Sequence, residues 1–331
     1  MIMSPTTGQG RLPSELPELH HDLLALCALK VGDTSVDWSL LARTCQTAAG
    51  IETVLGGDLP EQSSASRKSL PVLRSALPHL DAARERVAAE LEAAERVGAR
   101  LVTVLDEAYP ANLRLIPNLP PFLFHLGELS VRDGRSVAVV GTRNCTEDGR
   151  RRAARMTRGL VDADVVIYSG LAKGIDTAAH QEALTSGGRT VAVMGTGIAS
   201  KIYPAENTSL ARSIVDAGGA LFSQFWPTST PARWTFPRRN VVTSGSTLGS
   251  VVIEASSTSG AKLQARVAAE HGKQVFLLHS LATSEAWAAD MLAGHRAIEV
   301  FELEDVLDRL GSATQAQQAG QQRLQLALAG L

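Results

Sequence analysis

The stretch that decides the fold is SVAVVGTRNCTEDGRRRAARMTRGLVDADVVIYSGLAKGIDTAAH, residues 136–180. It contains a continuous apolar run at 136–140, a helix-forming segment at 147–161 and a second apolar run at 165–169. Apolar runs without polar alternation are typical of strands buried on both faces, and such strands, separated by helices, form parallel sheets. The stretch therefore predicts one β–α–β unit of an α/β domain.

The same alternation continues towards the C-terminus. It predicts further strands at 190–194, 220–223, 250–254, 274–278 and 297–301, with helical stretches around 175–186, 206–217 and 261–272 between them. The fold class is therefore α/β, with helices on both faces of a mostly parallel sheet. Ligands of such sheets bind beyond the carboxyl ends of the strands, so function is expected in the loops that follow them.

The N-terminal part of the chain reads as helical. Short amphipathic segments predict a small all-helical domain, a Ser-rich stretch at 60–70 reads as a linker, and a long helix is predicted at 78–97. The predicted organisation has four parts: a flexible N-terminus at 1–16, the helical domain at 17–65, the α/β domain at 66–310 and a Gln/Ala-rich tail at 311–331.

The overall charge conceals an asymmetry. The 331 residues include 32 Lys and Arg against 34 Asp and Glu, a formal net charge of −2 that by itself argues against nucleic acid. Residues 134–245, however, hold 14 Lys and Arg against eight Asp and Glu. This region carries +6 and the rest of the chain −8, so a nucleic-acid contact would be confined to one basic face.

Three successive strands end in glycine-rich loops that carry basic residues. They are Gly141-Thr142-Arg143-Asn144, Ser169-Gly170-Leu171-Ala172-Lys173-Gly174 and Gly195-Thr196-Gly197 with the nearby Lys201. Glycine allows close approach of the backbone to a ligand, and helix N-termini supply free N–H groups for phosphate. Each loop alone could be a tight turn, but their convergence on one sheet edge favours an anion site.

The most basic loop segment follows the fourth strand. It runs Ala232-Arg233-Trp234-Thr235-Phe236-Pro237-Arg238-Arg239-Asn240. Arginine interleaved with aromatic rings suits a phosphodiester backbone with a stacked base. The alternative is a solvated basic loop with Trp234 and Phe236 packed in the core.

Several kinds of site lack their sequence signatures. No Walker A motif, GxSxG elbow or complete GxGxxG fingerprint is present, and no catalytic residue, metal site or cofactor is predicted. Asp176 and His180 lie four residues apart on one predicted helix, either as an acid–base pair or as a structural network at the helix start. Three scattered cysteines and the absence of a signal-like or membrane-spanning segment predict a cytoplasmic protein.

Taken together, six strings resemble the DprA/Smf family of DNA-processing proteins. In family order they are YPANLRLIPNLPPFLFHLGEL, VAVVGTRNCTEDG, VVIYSGLAKGIDTAAHQEAL, GGRTVAVMGTGIASKIYPAEN, FPRRN and VVIEASSTSG, and the resemblance runs from about Tyr109 to Val300. The resemblance implies an extended Rossmann-like sheet without a nucleotide cofactor, preceded by a small helical domain. It also implies single-stranded DNA bound in a basic pocket at the strand ends, a homodimer, and loading of a RecA-type recombinase onto that DNA.

The resemblance also places the DNA- and phosphate-binding residues. Phe236 is the stacking candidate, and the complete predicted set is Gly141, Thr142, Arg143, Ser169, Gly170, Lys173, Gly174, Gly195, Gly197, Phe236, Arg238, Arg239, Asn240 and Lys262. The sequence departs from the family pattern at Gln224, Val241, Gln264 and His279, and no winged helix is expected after Gly311. These departures cluster in the downstream half of the predicted pocket.

Two other functions compete with the DNA-binding one. A DprA-like regulator could act as an antitoxin or immunity component beside a toxin or phage-defence partner, as the departures would suit such specialisation. A nucleotide hydrolase is the third possibility, because Ser244–Gly249 and Glu254 loosely echo a glycine-rich hydrolase loop.

Overall fold

The computed structural model describes residues 9–310, and the predicted tail at 311–331 lies outside them. Within this range nine strands form one sheet in the order β11-β10-β9-β5-β6-β7-β8-β4-β3. They are β3 (Arg100–Thr103), β4 (Phe122–Gly127), β5 (Ser136–Val140), β6 (Val166–Ser169), β7 (Thr190–Val193), β8 (Ala220–Ser223), β9 (Gly249–Val252), β10 (Gln274–Leu278) and β11 (Ile298–Val300); β1 (Lys30–Val31) and β2 (Thr34–Ser35) form a separate hairpin.

The seven strands from β11 to β8 are parallel, which confirms the predicted fold class. At the other edge β4 pairs antiparallel with both β8 and β3. β5 lies between β6 and β9, so the chain winds outward in both directions from this strand. The β5–β9 border is the switch point at which α/β sheets of this kind open a crevice for ligands.

Helices cover both faces of the sheet. In β5, Val137 and Val139 face one apolar cluster, Ala138 and Val140 face the other, and all four are buried. This explains the continuous apolar run in the sequence. The helices are α6 (Ala111–Arg114), α7 (Glu147–Asp162), α8 (Ile175–Thr185), α9 (Thr208–Asp216), α10 (Thr235–Gly245), α11 (Gly260–Glu270), α12 (His279–Ser284), α13 (Ala286–Ala293) and α14 (Glu304–Leu310).

The N-terminal region shares the core of the sheet. Leu24 and Leu41 belong to the same buried cluster as Phe124 of β4 and Phe222 of β8. The helices of this region are α1 (Glu18–Ala28), α2 (Trp38–Thr44), α3 (Ala48–Leu55), α4 (Ser64–Ala76) and α5 (Leu80–Arg96). The predicted division of the chain at residue 65 falls inside α4, and whether the two parts form separate domains stays a prediction.

Two local predictions differ from the structure. The Ser-rich stretch read as a linker forms α4, because Ser63 caps the helix by accepting from the N–H of Ser66. Within the segment 1–16 that was predicted to be flexible, the backbone of Arg11 pairs with Leu101 of β3, and the flexibility of this segment stays a prediction. The FPRRN segment, expected in a loop, forms the first half of α10, because Pro237 lies in the first helical turn, where a missing N–H costs nothing.

Candidate nucleic-acid interface

A cleft of about 450 Å³ opens at the carboxyl ends of β5 and β6. The loop after β5 forms one wall, the first two turns of α10 form the second, and the segment that leads from β9 into α11 forms the third. Seven predicted residues line the cleft: Gly141, Thr142, Arg143, Gly170, Phe236, Arg239 and Asn240. The cleft lies next to the β5–β9 switch point, as the topology requires.

Arg143 and Phe236 form the accessible part of this cleft. The guanidinium carbon of Arg143 lies 5.2 Å from the centre of the Phe236 ring. Arg143 is exposed, and no carboxylate within residues 9–310 forms an ion pair with it. Phe236 is half-buried between this guanidinium and Tyr203, whose ring centre is 5.5 Å away. The pair therefore presents an unpaired cation next to an aromatic ring whose position is fixed by packing.

Arg239 forms the buried base of the cleft. Its Nη1 donates to the carbonyl of Val193 at 3.0 Å, and its Nε donates to Oδ1 of Asn240 at 3.2 Å. Burial lowers the pKa of Arg239, the charge of Asp176 raises it, and the charge of Arg143 lowers it again. Two arginines thus oppose each other electrostatically, a repulsion that a bound anion would relieve.

Asp176 is the counter-charge of Arg239 and not a free acid. The buried carboxylate accepts from the N–H of Gly170 at 3.1 Å and from that of Ala172 at 3.4 Å. Burial raises its pKa, whereas Arg239 and these N–H groups lower it. His180 is bonded instead to Oγ1 of Thr190 at 2.7 Å, and burial lowers its pKa to about 3. The two side chains therefore serve the structural network, the second of the alternatives left open by their spacing.

The glycines of the predicted set allow close packing. A Cβ on Gly170 would lie 1.5 Å from Nη1 of Arg239, and one on Gly195 would lie 2.8 Å from the Phe236 ring.

Two further glycines of the predicted set lie where the loop after β5 meets the start of α8. Gly174 has φ of +78°, and a Cβ there would lie 2.3 Å from the carbonyl oxygen of Thr142. Gly141 similarly leaves room for the side chain of Ile175. These residues shape the cleft by letting its walls approach one another.

Other predicted residues do not reach the cleft. The hydroxyl of Ser169 is buried and donates to the carbonyl of Val139, and Gly197 packs against the backbone of residues 226–227. Arg238 points to the opposite side of α10, and Lys262 is not among the residues that line the cavity. Lys173 borders a smaller side pocket of about 60 Å³ and pairs with Glu206 at 2.5 Å.

The third wall was missing from the prediction. Ser256, Thr258, Ser259 and Gly260 line it, and Ser259 caps α11 by accepting from the N–H of Ala261. Hydroxyls and the free N–H groups of a helix N-terminus are donors for phosphate. The signal was present in the string VVIEASSTSG, whose serines and threonines follow a buried strand.

The four residues that depart from the family pattern lie in different parts of the fold, and most of them are outside the cleft. Gln264 lines the cleft, donates to Oγ of Ser250 at 3.2 Å and leaves its buried Oε1 without a hydrogen bond within residues 9–310. Gln224 donates to the carbonyl of Arg238, Val241 packs against the core, and His279 pairs with Glu299. Only Gln264 among the four touches the cleft.

In the segment that loosely echoes a hydrolase loop, Ser244 and Glu254 form hydrogen bonds with other parts of the fold. Both oxygens of Glu254 accept from Thr146, which caps α7, with the hydroxyl at 2.7 Å. Ser244 bonds to Nδ1 of His271 at 2.9 Å. In residues 9–310 no cluster of three or more His, Cys, Asp or Glu side chains could hold a metal ion, and no helix is long and apolar enough to cross a membrane.

The family model described as DNA recombination-mediator protein A matches residues 100–311. The chain belongs to this family. The matched residues contain the whole cleft and all nine strands of the sheet, beginning at the first residue of β3. Membership in the DprA/Smf family is thereby confirmed.

Individual relatives agree with this assignment. The DNA processing protein DprA of Streptococcus pneumoniae is 39% identical over 176 residues, which cover 53% of this chain and 61% of that protein. A crystal structure of DprA from the same organism matches with a TM-score of 0.68 at 29% identity, over 88% of this chain and 96% of that one. The Rossmann-like fold with its helical N-terminal region is therefore that of the family. The sequence alignment itself spans less than two thirds of the length of the pneumococcal protein.

A more distant structure agrees in fold. It is DNA processing protein A of Helicobacter pylori, described for its single-stranded DNA binding mode, with 23% identity and a TM-score of 0.57 over 64% of this chain and 95% of that one.

Proposed function

We propose that this protein binds single-stranded DNA in the cleft at the carboxyl ends of β5 and β6. The observation that carries the proposal is the arrangement of Arg143, Phe236 and Arg239, two cations and an aromatic ring that line one cleft. A phosphate would pair with the exposed guanidinium of Arg143, and a base would stack on Phe236. The donors of Ser259 and the α11 N-terminus face the same space and would hold the next phosphate.

The chemistry of the cleft favours a nucleic-acid backbone over a small cofactor. Most of its donors are backbone N–H groups, hydroxyls and arginines, which suit phosphates, and one ring serves every base because each base has a π face. The single-stranded DNA binding attributed to the Helicobacter relative is consistent with this assignment.

The direct test replaces Arg143 by Glu. We expect the affinity for a fluorescent oligodeoxythymidylate to fall by roughly tenfold or more, since charge-assisted hydrogen bonds contribute about 1.5–3 kcal/mol each. The matched control is Arg212→Glu, because Arg212 of α9 is exposed, forms no ion pair with a carboxylate of residues 9–310 and does not line the cleft. Affinity is measured by fluorescence anisotropy. If Arg143→Glu binds the oligomer as tightly as the wild type, the cleft is not the DNA-binding site.

We propose that, in the cell, a RecA-type recombinase is loaded onto the DNA bound in the cleft. The family description of a recombination mediator supports this role. The test is RecA filament formation on DNA already coated with a single-strand binding protein. Catalytic amounts of wild-type protein should shorten the lag before filament formation, and Arg143→Glu should not. A lag that does not change with the wild-type protein would contradict this role.

A homodimer is proposed through the β11 edge of the sheet. Phe301, which directly follows β11, is 69% exposed and stacks on the ring of His279 at 4.6 Å. An exposed phenyl ring beside a strand edge that no other strand of residues 9–310 pairs with suits a self-complementary interface. Light scattering should give a dimer for the wild type and a monomer for Phe301→Glu; a monomer for both would contradict the proposal.

A further inference from the structure

Helix α10 separates two cavities, and each side of the helix carries an aromatic–arginine pair. Phe236, Arg239 and Asn240 line the cleft. Trp234 and Arg238 line a second groove of about 350 Å³ on the other side. The spacing explains the division, because residues two apart on a helix point in nearly opposite directions, whereas residues three or four apart share a face.

Trp234 is an exposed ring held in a fixed orientation. It is 58% exposed, whereas the other three tryptophans of the chain are buried or half-buried. The ring of Phe225 packs against it in a T-shaped arrangement with 5.8 Å between ring centres, and the guanidinium carbon of Arg238 lies 5.8 Å from its centre. An indole fixed in this way offers a flat stacking surface at low cost in conformational entropy.

The groove is bordered by more basic than acidic side chains. Arg238, Arg86 of α5 and Lys30 of the small hairpin border it, and none of them forms an ion pair with a carboxylate in residues 9–310. The opposing carboxylates are those of Asp33 and Glu90. Both oxygens of Glu90 already accept from Thr228, at 2.9 Å from its N–H and 2.7 Å from its hydroxyl, so this acid is occupied in fastening the loop after β8 to α5.

The walls of the groove come from both parts of the chain. Trp38 of α2 packs on Trp226 and Phe122, with ring centres 5.8 and 5.1 Å apart, and its Nε1 donates to the carbonyl of Cys27. Arg86 donates to the carbonyl of Ala28, which holds its guanidinium at the rim. The N-terminal helical region therefore contributes Lys30 and Arg86 to the groove, whereas Trp234, the ring on which a base could stack, precedes α10.

We propose that this groove is a second single-strand subsite, in which a base stacks on Trp234 and phosphates reach Arg238 and Arg86. The strand would leave the cleft at Phe236, cross the first turn of α10 and enter the groove, a path of about one helix diameter, roughly 10 Å. This proposal rests on the proposed function of the cleft. It assigns the helical N-terminal region a direct role in holding DNA.

The test compares oligodeoxythymidylates of increasing length. Short oligomers fill the cleft alone, and longer ones also reach the groove. We expect Trp234→Ala, Arg238→Glu and Arg86→Glu each to lower affinity for long oligomers by roughly fivefold or more, as the loss of one stacked base does elsewhere. Their affinity for short oligomers should equal that of the wild type. Trp234→Phe should retain most of the long-oligomer affinity, and Arg212→Glu controls for the change in net charge.

Tryptophan fluorescence supplies an independent readout. Long oligomers should quench part of the emission of the wild type, and this part should be absent in Trp234→Ala. If Trp234→Ala and Arg238→Glu bind every length like the wild type while Arg143→Glu is weakened, the groove is not on the DNA path and the cleft proposal stands. If Arg143→Glu also binds like the wild type, the cleft proposal fails and the groove proposal with it.

Discussion

At the scale of single residues, the cleft depends on one buried cation and on the space left for it. The Arg239 guanidinium lies against Gly170, donates to Val193 and is balanced by Asp176. A buried arginine is tolerable only when its hydrogen bonds and counter-charge are supplied by the fold. Arg239 therefore holds the loop after β6 against α10 and gives the cleft a fixed positive base.

Gly170→Ala tests this packing. The added methyl would lie 1.5 Å from Nη1, so Arg239 must leave its position. We expect a loss of about 1–3 kcal/mol in the free energy of unfolding, measured by urea denaturation, together with weaker DNA binding. Gly134→Ala is the matched control, because a Cβ there meets nothing within 4 Å. A Gly170→Ala protein as stable as this control would contradict the account.

Sequence reasoning did not predict which neighbours the glycines near the cleft accommodate. It predicted that Gly170 and Gly195 let the backbone approach a phosphate, and the structure shows that their missing Cβ atoms also make room for Arg239 and Phe236. Which neighbour approaches a glycine depends on long-range packing between β7, β6 and α10. No spacing rule along the chain contains that information.

At the scale of elements, the ends of the helices that border the cleft are held by specific caps. The Thr146 hydroxyl accepts from the N–H of Gly149 at the start of α7 and donates to Glu254, which follows β9. One side chain thus caps the helix and joins the loops after β5 and β9, the two strands that meet at the switch point.

Thr146→Ala removes both hydrogen bonds of this hydroxyl. We expect the free energy of unfolding to fall by about 1–2 kcal/mol, the upper part of the range for a missing helix cap. Thr185→Ala is the control, since its hydroxyl only donates to the carbonyl of Gln181 one turn earlier on an exposed helix surface. Urea denaturation of the two variants should separate them by about 1 kcal/mol, and equal midpoints would show that the cap is dispensable.

The parallel strands could be predicted because each is a short apolar run between helices. α10 could not, since its first two turns contain Pro237 and two arginines and read as a polar loop. Its helical state depends on burial of Thr243 and Val242 against the core, a tertiary effect that overrides local propensity. The antiparallel strand β4 was also missed, although Pro121 directly precedes its apolar run and Gly127 ends it.

At the scale of the whole molecule, histidine burial makes the stability depend on pH. Burial lowers the pKa of His125 and His271 to about 4 and that of His180 to about 3, from an ordinary value near 6.5. These side chains stay neutral in the folded protein at a pH where the unfolded chain takes up protons. Their contribution to stability is therefore complete above about pH 6.5 and is lost as the pH falls towards 4.

We expect the free energy of unfolding to fall on acidification from pH 7 to pH 5, by up to about 1.4 kcal/mol per pH unit for each of these histidines. His180→Gln should reduce this slope by about one bound proton, which corresponds to up to about 1.4 kcal/mol per pH unit. The measurement is urea denaturation across this pH range. An unfolding free energy that does not change between pH 7 and pH 5 would contradict the burial of neutral histidine.

The central claim is that a basic cleft on a nearly neutral protein binds single-stranded DNA. Its most direct test is the dissociation constant for an oligodeoxythymidylate as a function of salt concentration, for the wild type and Arg143→Glu. The account predicts a linear decrease of log affinity with log salt. It also predicts a slope shallower in Arg143→Glu by about 0.7 for each phosphate that the variant no longer neutralises. Binding that is absent, or a salt slope that is the same in both proteins, would contradict it.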